Sequence, residues 1–249
     1  MIDPPLPGAA AARRRAPRAT RTHRVLERRD LSSGVFVLRF TREGLRFAPG
    51  QWINVGPGGR REQREYSIYS SPREEFLEIL VKEIPDGSVS PTLRRCRPGD
   101  GVEVEGPHGA FTLVEGTREA PRFLFCATGT GVSPFHCFAQ TRPGLDYLVL
   151  HGVRDRGDFT ETGAFDSRRY IPCVSRGPAG NGAYPGRLTA LLKEKPVDSS
   201  TPGMDSSTPW VDSATYCYLC GNSDMIYEVY GILRDRGVSR EQIFAEVYF

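Results

Sequence analysis

The sequence predicts a two-domain protein: an antiparallel six-stranded β-barrel followed by an α/β domain built on a parallel sheet. The first half alternates short β-prone runs with Gly- and Pro-containing turns, which is typical of small barrels and sandwiches. After Pro121 the β-prone runs become continuously apolar and alternate with helix candidates, which is typical of a parallel sheet covered on both faces. A chain of 249 residues can hold two domains of ordinary size.

Six runs are the candidate strands of the barrel. Turn segments such as "APG", "GPGG", "PDG" and "RPGD" separate them, and "SPTLRRC" (90–96) is the one helix candidate among them. The predicted strands are 35–40, 51–56, 65–70, 76–84, 101–106 and 110–115.

Four apolar runs are the candidate strands of the second domain, and three segments between them are its candidate helices. A border near 116–121 separates the two patterns, so the predicted domains are a basic arm (1–21), a barrel domain (22–118) and an α/β domain (119–249). The predicted strands are 122–131, 146–154, 169–176 and 214–222, and the predicted helices are 134–141, 186–194 and 223–236.

Charge and hydropathy exclude several classes of protein. The net charge of +3 is too small to indicate a nucleic-acid-binding protein. Much of it comes from six arginines in the first 24 residues, and such a Pro/Ala/Arg-rich arm is typical of a disordered leader, with a transit peptide as the alternative. No apolar run approaches the roughly 18–20 residues of a membrane span, and no signal-peptide core is visible. We therefore expect a cytoplasmic protein without membrane insertion.

The six cysteines do not have the spacing of a disulfide framework. Cys217 and Cys220 form a C-x-x-C pair, but it lies in a predicted strand, where positions three apart face opposite sides. We therefore expect no shared metal and no iron–sulfur centre, since a second cysteine cluster is missing.

Several segments each allow a structural and a functional interpretation. The polar run "REYSIYSSP" (64–72) fits an edge strand or a strand that holds a polar ligand. In "ATGTGVSPF" (127–135), the glycines form either a tight turn or an anion cradle suited to a pyrophosphate. "VSR" (174–176) and Arg187 supply guanidinium groups that are either solvated or contact a 2′-phosphate. "CGNSDMI" (220–226) is another strand–glycine–helix junction.

Taken in order, these segments resemble the ferredoxin–NADP⁺ reductase family, and in particular its compact bacterial ferredoxin/flavodoxin reductases. "REYS", "PDGSVSPTL", "GPHGAF", "ATGTGVSPF", "VSR", "CGNSDM" and the final "EVYF" carry the resemblance, which covers about residues 22–249. The resemblance implies an FAD-binding barrel domain and an NADP-binding α/β domain.

The resemblance also implies which residues bind FAD. Arg64 would pair with the pyrophosphate, Tyr66 would stack on the isoalloxazine, and Ser67 would hydrogen-bond the flavin near N5. Glu65, on the same strand, is also counted among the FAD-binding residues, although it departs from the family pattern and its carboxylate is expected to face solvent. The further FAD contacts implied are Ser88, Val89, Ser90, Thr130, Tyr248 and Phe249.

On the nucleotide side, the resemblance implies that Thr130 contacts both flavin and nicotinamide. Ser175, Arg176 and Arg187 match the positions that contact the 2′-phosphate, which favours NADP over NAD. The other NADP contacts implied are Gly129, Gly131, Val153, Arg154, Asn222, Ser223, Asp224, Met225 and Ile226.

The implied activity is hydride transfer from NADPH to flavin N5, followed by release of single electrons to a ferredoxin or flavodoxin. The catalytic candidates are Ser67, Cys220, Glu246 and Tyr248, and Tyr248 or Phe249 would move aside for nicotinamide. A basic patch could dock an acidic carrier or could simply be solvated. The patch consists of Arg94, Arg95 and Arg97.

Two alternatives remain open on the sequence alone. One is an NADH-linked reductase that serves an oxygenase, and the other is a non-catalytic flavin subunit of a larger electron-transfer complex. Because no iron–sulfur cysteines and no haem domain are visible, we expect the electron acceptor to be a separate protein. We also expect the reductase to be a monomer.

Overall fold

The computed structural model describes residues 20–32, 34–114, 121–158, 163, 165–194, 211 and 215–248. Most of the predicted arm (1–21), the two DSSTP segments (198–202 and 205–209) and Phe249 lie outside the described residues. The exception in the arm is Thr20 and Arg21, and Arg21 already belongs to the first strand.

The chain divides into two compact units. The barrel unit contains the described residues up to Leu113 together with Ser133–Pro143. The α/β unit contains the described residues of Val114–Val132 and those from Gly144 onward. The predicted border at 118/119 falls in the stretch 115–120, which lies outside the described residues.

Six antiparallel strands form the barrel unit, in the order β4-β3-β6-β1-β2-β5. The two end strands meet through an antiparallel bridge between Ile68 and Ile79, where the Tyr69 N–H donates to the Glu78 carbonyl at 2.8 Å. This bridge closes the sheet, and the predicted six-stranded antiparallel barrel is confirmed. The elements are β1 (Arg21–Asp30), β2 (Val35–Thr41), β3 (Trp52–Pro57), β4 (Arg64–Ser67), β5 (Phe76–Lys82), α1 (Ser90–Arg95) and β6 (Gly101–His108).

The barrel has the predicted number of strands but not the predicted set. The strand expected at 110–115 is wrong, since 110–114 forms no strand; its alternating Phe111 and Leu113 are buried without strand pairing. The missing strand is β1, which pairs with both β2 and β6. The sequence pattern does not reveal β1, because its apolar content is low and four of its ten residues are arginines, two of them exposed and two half-buried in the structure.

A helix that follows the predicted border, α2 (Ser133–Thr141), belongs to the barrel unit. The His136 ring stacks on the Tyr69 ring with centroids 3.6 Å apart, and its Nδ1 lies 2.8 Å from the Tyr69 carbonyl oxygen. The Cys137 thiol donates to the Ser70 carbonyl at 3.1 Å. These contacts fix the backbone that leaves β4, so α2 supports the closure of the barrel.

The α/β unit contains a six-stranded, fully parallel sheet in the order β10-β9-β8-β7-β11-β12, which confirms the second predicted sheet. The two edge strands, β10 and β12, were not predicted. The elements are β7 (Arg122–Thr128), β8 (Asp146–Val153), β9 (Tyr170–Val174), β10 (Tyr184–Pro185), α3 (Leu188–Glu194), β11 (Tyr216–Gly221), α4 (Ser223–Asp235) and β12 (Ile243–Val247).

The two faces of this sheet have different compositions, because alternate residues of a strand point to opposite sides. One face is aliphatic and packs with α3 and α4 in one core cluster, to which Leu124, Leu148 and Leu219 contribute. The other face is aromatic: Phe125 lies 6.0 Å from Tyr218 between ring centroids, and Tyr218 stacks on Phe244 at 4.7 Å.

The cysteine side chains do not form a cluster of facing thiols at the C-x-x-C pair. All six are buried free thiols, and Cys217 belongs to the aliphatic cluster whereas Cys220 does not. In the described part of the chain, no group of His, Cys, Asp and Glu side chains is placed to hold a metal ion. No helix within the same residues is long and apolar enough to cross a membrane.

Candidate functional site

The strand β4 shows a gradient of burial along the predicted flavin-binding residues. Arg64 and Glu65 are exposed, Tyr66 is half-buried against the barrel core, and Ser67 is buried. Burial raises the pKa of Tyr66 to about 12, although the charge of Arg64 opposes this rise. The phenol of Tyr66 is therefore neutral at physiological pH, and the cationic Arg64 is accessible to an anion.

The segment before α1 is the second predicted flavin contact in the barrel unit. Ser88 is exposed, whereas Val89 and Ser90 are buried, and the Ser90 hydroxyl accepts the Ile84 N–H at 2.9 Å. Val89 caps the helix without a side-chain hydrogen bond. Ser88 is thus accessible to a ligand, while Ser90 holds the turn in place.

In the α/β unit, two glycine turns approach each other at the carboxyl ends of β7 and β11. A Cβ on Gly131 would lie 2.4 Å from the Cys220 carbonyl oxygen, and one on Gly221 would lie 2.3 Å from Thr128 Oγ1. Gly221 also has a φ of +128°, which side-chain-bearing residues rarely adopt. Glycine is therefore required at 131 and 221, because any side chain would separate the two strand ends.

Hydrogen bonds to the side chains of Thr128 and Asn222 also stabilise this edge of the sheet. The Asn222 N–H donates to Thr128 Oγ1 at 2.9 Å, and the Asn222 side chain accepts the N–H groups of Asp224 and Met225 at the start of α4. Asn222 and Asp224 are exposed and Ser223 is half-buried. Met225 and Ile226, two of the predicted NADP contacts, lie in the aliphatic core cluster, so their side chains hold α4 against the sheet.

Three of the four predicted catalytic residues come together beside this edge. Cys220 on β11 pairs in register with Glu246 on β12, and the Tyr248 N–H donates to the Gly221 carbonyl at 2.9 Å. Burial raises the pKa of the Cys220 thiol well above its usual range; the charge of Glu246 adds to the rise and a hydrogen bond with Tyr248 opposes it. The thiol is therefore neutral at physiological pH. The fourth residue, Ser67, lies in the barrel unit.

The arginines predicted for the 2′-phosphate follow β8 and β9. The Ser175 N–H and hydroxyl both donate to the Val153 carbonyl, at 3.0 and 3.1 Å, and the Arg176 N–H donates to the Arg154 carbonyl at 2.8 Å. These bonds place the two strand ends side by side. Arg154, Arg176 and Arg187, which immediately precedes α3, are exposed, so their guanidinium groups are accessible to an anion.

The proposed docking patch is less basic than its sequence suggests. Arg94 is partly buried and pairs with Glu83 at 3.2 Å and with Asp30 at 3.5 Å. Arg95 and Arg97 are exposed. Arg94 is thus neutralised within the barrel unit, and two of the three arginines remain available to a partner.

Sequence reasoning missed a buried pair beneath the Gly129 turn. His151 on β8 is fully buried; its Nδ1 lies 2.6 Å from the Tyr170 hydroxyl and its Nε2 lies 2.8 Å from the Gly129 carbonyl oxygen. The only signal in the sequence was a lone histidine inside an apolar strand, a pattern more typical of an ordinary core residue.

Comparisons with known proteins agree with this architecture. Residues 22–113 match the family described as oxidoreductase FAD-binding domain. Ferredoxin–NADP reductase B of Sorangium cellulosum is 32% identical over 248 residues, covering 90% of this chain and 96% of that protein. The flavodoxin/ferredoxin–NADP reductase of Escherichia coli is 27% identical over 218 residues, covering 82% of this chain and 86% of that protein.

Oxygenase components are also similar. The toluate 1,2-dioxygenase electron transfer component of Pseudomonas putida is 28% identical, and the match covers 82% of this chain but 59% of that protein. Among solved structures, a ferredoxin NADP⁺ reductase from Neisseria gonorrhoeae with bound FAD and NADP aligns with a TM-score of 0.80 and 22% identity, covering 92% of this chain and 99% of that one. Together with the geometry of the two units, the Sorangium relative shows that the chain belongs to the ferredoxin–NADP⁺ reductase family of FAD-dependent oxidoreductases.

Proposed function

We propose that this protein is a ferredoxin/flavodoxin–NADP⁺ reductase that takes electrons from NADPH and delivers them to a separate one-electron carrier protein. The observation that carries the proposal is that one chain combines an FAD-binding barrel with a parallel sheet whose strand ends carry glycine turns and exposed arginines. We assign residues 22–118 to the FAD domain and 119–249 to the NADP domain. When bound, FAD supplies hydride acceptance and one-electron release.

The barrel residues fit an anionic, partly aromatic cofactor. We assign Arg64 to the pyrophosphate, because its exposed guanidinium can form charge-assisted hydrogen bonds. Ser88 would add contacts before α1, while Val89 and Ser90 hold that turn. Tyr66 would present a neutral ring to the isoalloxazine, and Ser67 would hydrogen-bond the flavin.

We assign the dinucleotide to the carboxyl edge of the α/β sheet, which is where ligands bind in open parallel sheets. Gly129, Thr130 and Gly131 would approach the dinucleotide closely, and Arg176 and Arg187 would read the 2′-phosphate. The last assignment favours NADPH over NADH.

At the end of the chain, we propose that Tyr248 covers the flavin until nicotinamide displaces it. The bond of its N–H to Gly221 anchors this residue at the edge where Cys220 and Glu246 lie. Deleting Tyr248 and Phe249 should raise the affinity for nicotinamide coenzymes and relax the discrimination against NADH, since one competitor for the flavin face is removed. An unchanged NADPH/NADH ratio would contradict this role.

A second candidate is an NADH-linked reductase of an oxygenase system, which the likeness to oxygenase electron transfer components favours. The preferred coenzyme, NADPH or NADH, distinguishes these two candidate functions. The free thiols of all six cysteines fit a reducing compartment, so we propose that the protein lies in the cytoplasm. We further propose that it acts as a monomer.

The decisive experiment is an absorption spectrum of the purified protein, followed by anaerobic titration with NADPH and with NADH. We expect flavin absorbance that NADPH bleaches at lower concentration, followed by electron transfer to ferredoxin or flavodoxin. Arg64→Ala should weaken FAD binding by about 1.5–3 kcal/mol. A protein that takes up no FAD would overturn the proposal, and a preference for NADH would favour the oxygenase alternative.

The 2′-phosphate assignment has its own test. Arg176→Ala and Arg187→Ala should each raise the KM for NADPH and leave the KM for NADH nearly unchanged, because only NADPH carries the 2′-phosphate. Arg168→Ala, which removes an exposed arginine paired with Asp166 at 3.1 Å, is the control. Equal effects on both coenzymes would contradict the assignment.

A further inference from the structure

The buried pair of His151 and Tyr170 contacts the turn assigned to the dinucleotide but is itself inaccessible to any ligand. Both side chains lie on the aromatic face of the sheet, near the carboxyl end of β8, where Pro172 pairs in register with His151. His151 is 0% exposed and Tyr170 is 7% exposed. Their role must therefore act through the groups that they contact.

The hydrogen bonds define the state of each group. The Gly129 carbonyl can only accept, so His151 Nε2 carries the proton and donates to it at 2.8 Å. Nδ1 is then an acceptor, and the Tyr170 hydroxyl donates to it at 2.6 Å. Burial raises the pKa of Tyr170 and lowers that of His151 to about 4, so both groups are neutral and fully bonded in this arrangement.

The geometry of the peptide unit transmits this bond to the surface. In a trans peptide, the carbonyl of one residue and the N–H of the next point in opposite directions. Holding the Gly129 carbonyl toward His151 therefore turns the Thr130 N–H away from the sheet interior.

Gly129 begins a short 3₁₀ turn (Gly129–Val132), and His151 restrains it from outside that turn. Its φ is +53°, and no atom lies within 4 Å of the position that a Cβ would take. Because a single 3₁₀ turn holds a backbone weakly and glycine populates several conformations, the bond from His151 further limits rotation of the Gly129–Thr130 peptide.

We propose that His151 and Tyr170 are positioning residues that fix the Gly129–Thr130 peptide in the orientation that binds the dinucleotide. The proposal rests on the NADPH reductase function proposed above. The Tyr170 hydroxyl holds the His151 tautomer, His151 holds the Gly129 carbonyl, and the Thr130 N–H is thereby fixed in direction.

The test compares three variants of the FAD-loaded enzyme, with ferricyanide as the electron acceptor. His151→Phe removes the donor to Gly129 and should raise the KM for NADPH about tenfold, with kcat changed less than about twofold. His151→Gln places an amide N–H near the position of Nε2 and should restore the KM to within about threefold. Tyr170→Phe should have an intermediate effect.

The matched control is His23→Phe in the barrel unit. His23 is also buried, with its Nδ1 2.6 Å from the Thr41 carbonyl oxygen, so its replacement should lower stability without changing the KM for NADPH. A His151→Phe enzyme with wild-type KM, or a His151→Gln enzyme as impaired as His151→Phe, would overturn the proposal. If His151→Phe does not fold, the same comparison is made with Tyr170→Phe, where a wild-type KM is the overturning result.

A second measurement separates this inference from the proposed function. Hydrogen exchange of the peptide that contains Gly129–Val132 should be about tenfold faster in His151→Phe and close to wild type in His151→Gln. A wild-type protein that does not oxidise NADPH would overturn the reductase function and the dinucleotide role together. Unchanged exchange in His151→Phe would overturn the fixing of the peptide, whatever the activity.

Discussion

The barrel unit and the α/β unit present their candidate residues in different ways. In the barrel unit, exposed side chains such as Arg64 and Ser88 are available directly from a strand and a turn. In the α/β unit, backbone peptides of glycine turns form the edge, and the buried His151 and the half-buried Thr128 hold them through side-chain hydrogen bonds. The candidate site of the barrel unit therefore depends on which side chains the strand and the turn carry. The candidate site of the α/β unit depends instead on how closely the ends of its strands approach each other.

The largest effect is expected from Gly221→Ala, which tests whether the α/β edge requires close approach. The new Cβ would lie 2.3 Å from Thr128 Oγ1 and 2.9 Å from the Thr128 carbonyl oxygen, at a φ of +128°. Strain and overlap together should cost about 4 kcal/mol of unfolding free energy, measured by urea denaturation.

Gly231→Ala is the matched control for this prediction. Gly231 is exposed in α4, and no atom lies within 4 Å of its Cβ position. The substitution should stabilise the protein by about 0.5–1 kcal/mol, because alanine has the higher helix propensity. If both variants had the stability of the wild type, the close approach at Gly221 would not be a requirement.

The second-largest loss of stability is expected in the barrel unit, where ion pairs connect side chains of its strands. Glu78 is buried, and its Oε1 lies 2.8 Å from Arg29 Nη1 and 2.9 Å from Arg39 Nε. Glu78→Gln should lower the unfolding free energy by about 3 kcal/mol, because the two arginines lose their buried counter-charge.

Glu27→Gln is the control, since Glu27 contacts the same two arginines at 3.6 and 3.1 Å but its side chain is 43% exposed. It should change the unfolding free energy by about 0.5 kcal/mol or less, as expected for a solvent-exposed pair. Equal effects of the two substitutions would show that burial does not decide the strength of these ion pairs.

The third effect is a loss of stability at acidic pH. The pKa of His151 is lowered from 6.5 to about 4 by burial, so the unfolded state binds a proton more readily below pH 6.5. The unfolding free energy is unaffected by this titration above pH 6.5. As the pH falls from 6.5 toward 4, proton binding by the unfolded state lowers the unfolding free energy, by about 2 kcal/mol at pH 5. His151→Gln cannot titrate, so its stability should fall less between pH 7 and pH 5. Urea denaturation at both pH values measures the difference, and parallel losses in the two proteins would contradict it.

Much of the α/β sheet could be predicted from sequence because its central strands are apolar on both faces. The strand β1 could not, since its four arginines interrupt the alternation of apolar and polar residues and its pairing with β2 and β6 is a property of the closed barrel. The contacts of His151 were also hidden, because Gly129 and Tyr170 are 22 and 19 residues away along the chain. Local residue patterns therefore revealed the candidate motifs, while the fold alone brought their supports together.

The smallest effect separates support from binding at Asn222, where the sequence suggested only a cofactor contact. Its side chain accepts the N–H groups of Asp224 and Met225 at 3.0 and 3.3 Å and so caps α4. Asn222→Ala should lower the unfolding free energy by about 1 kcal/mol, and Asn222→Asp should retain the cap and the wild-type stability. Urea denaturation measures the first effect, and the KM for NADPH measures any role in binding. If Asn222→Asp is as unstable as Asn222→Ala, the cap does not hold α4; if it is stable but binds NADPH poorly, Asn222 contacts the dinucleotide as well as the helix.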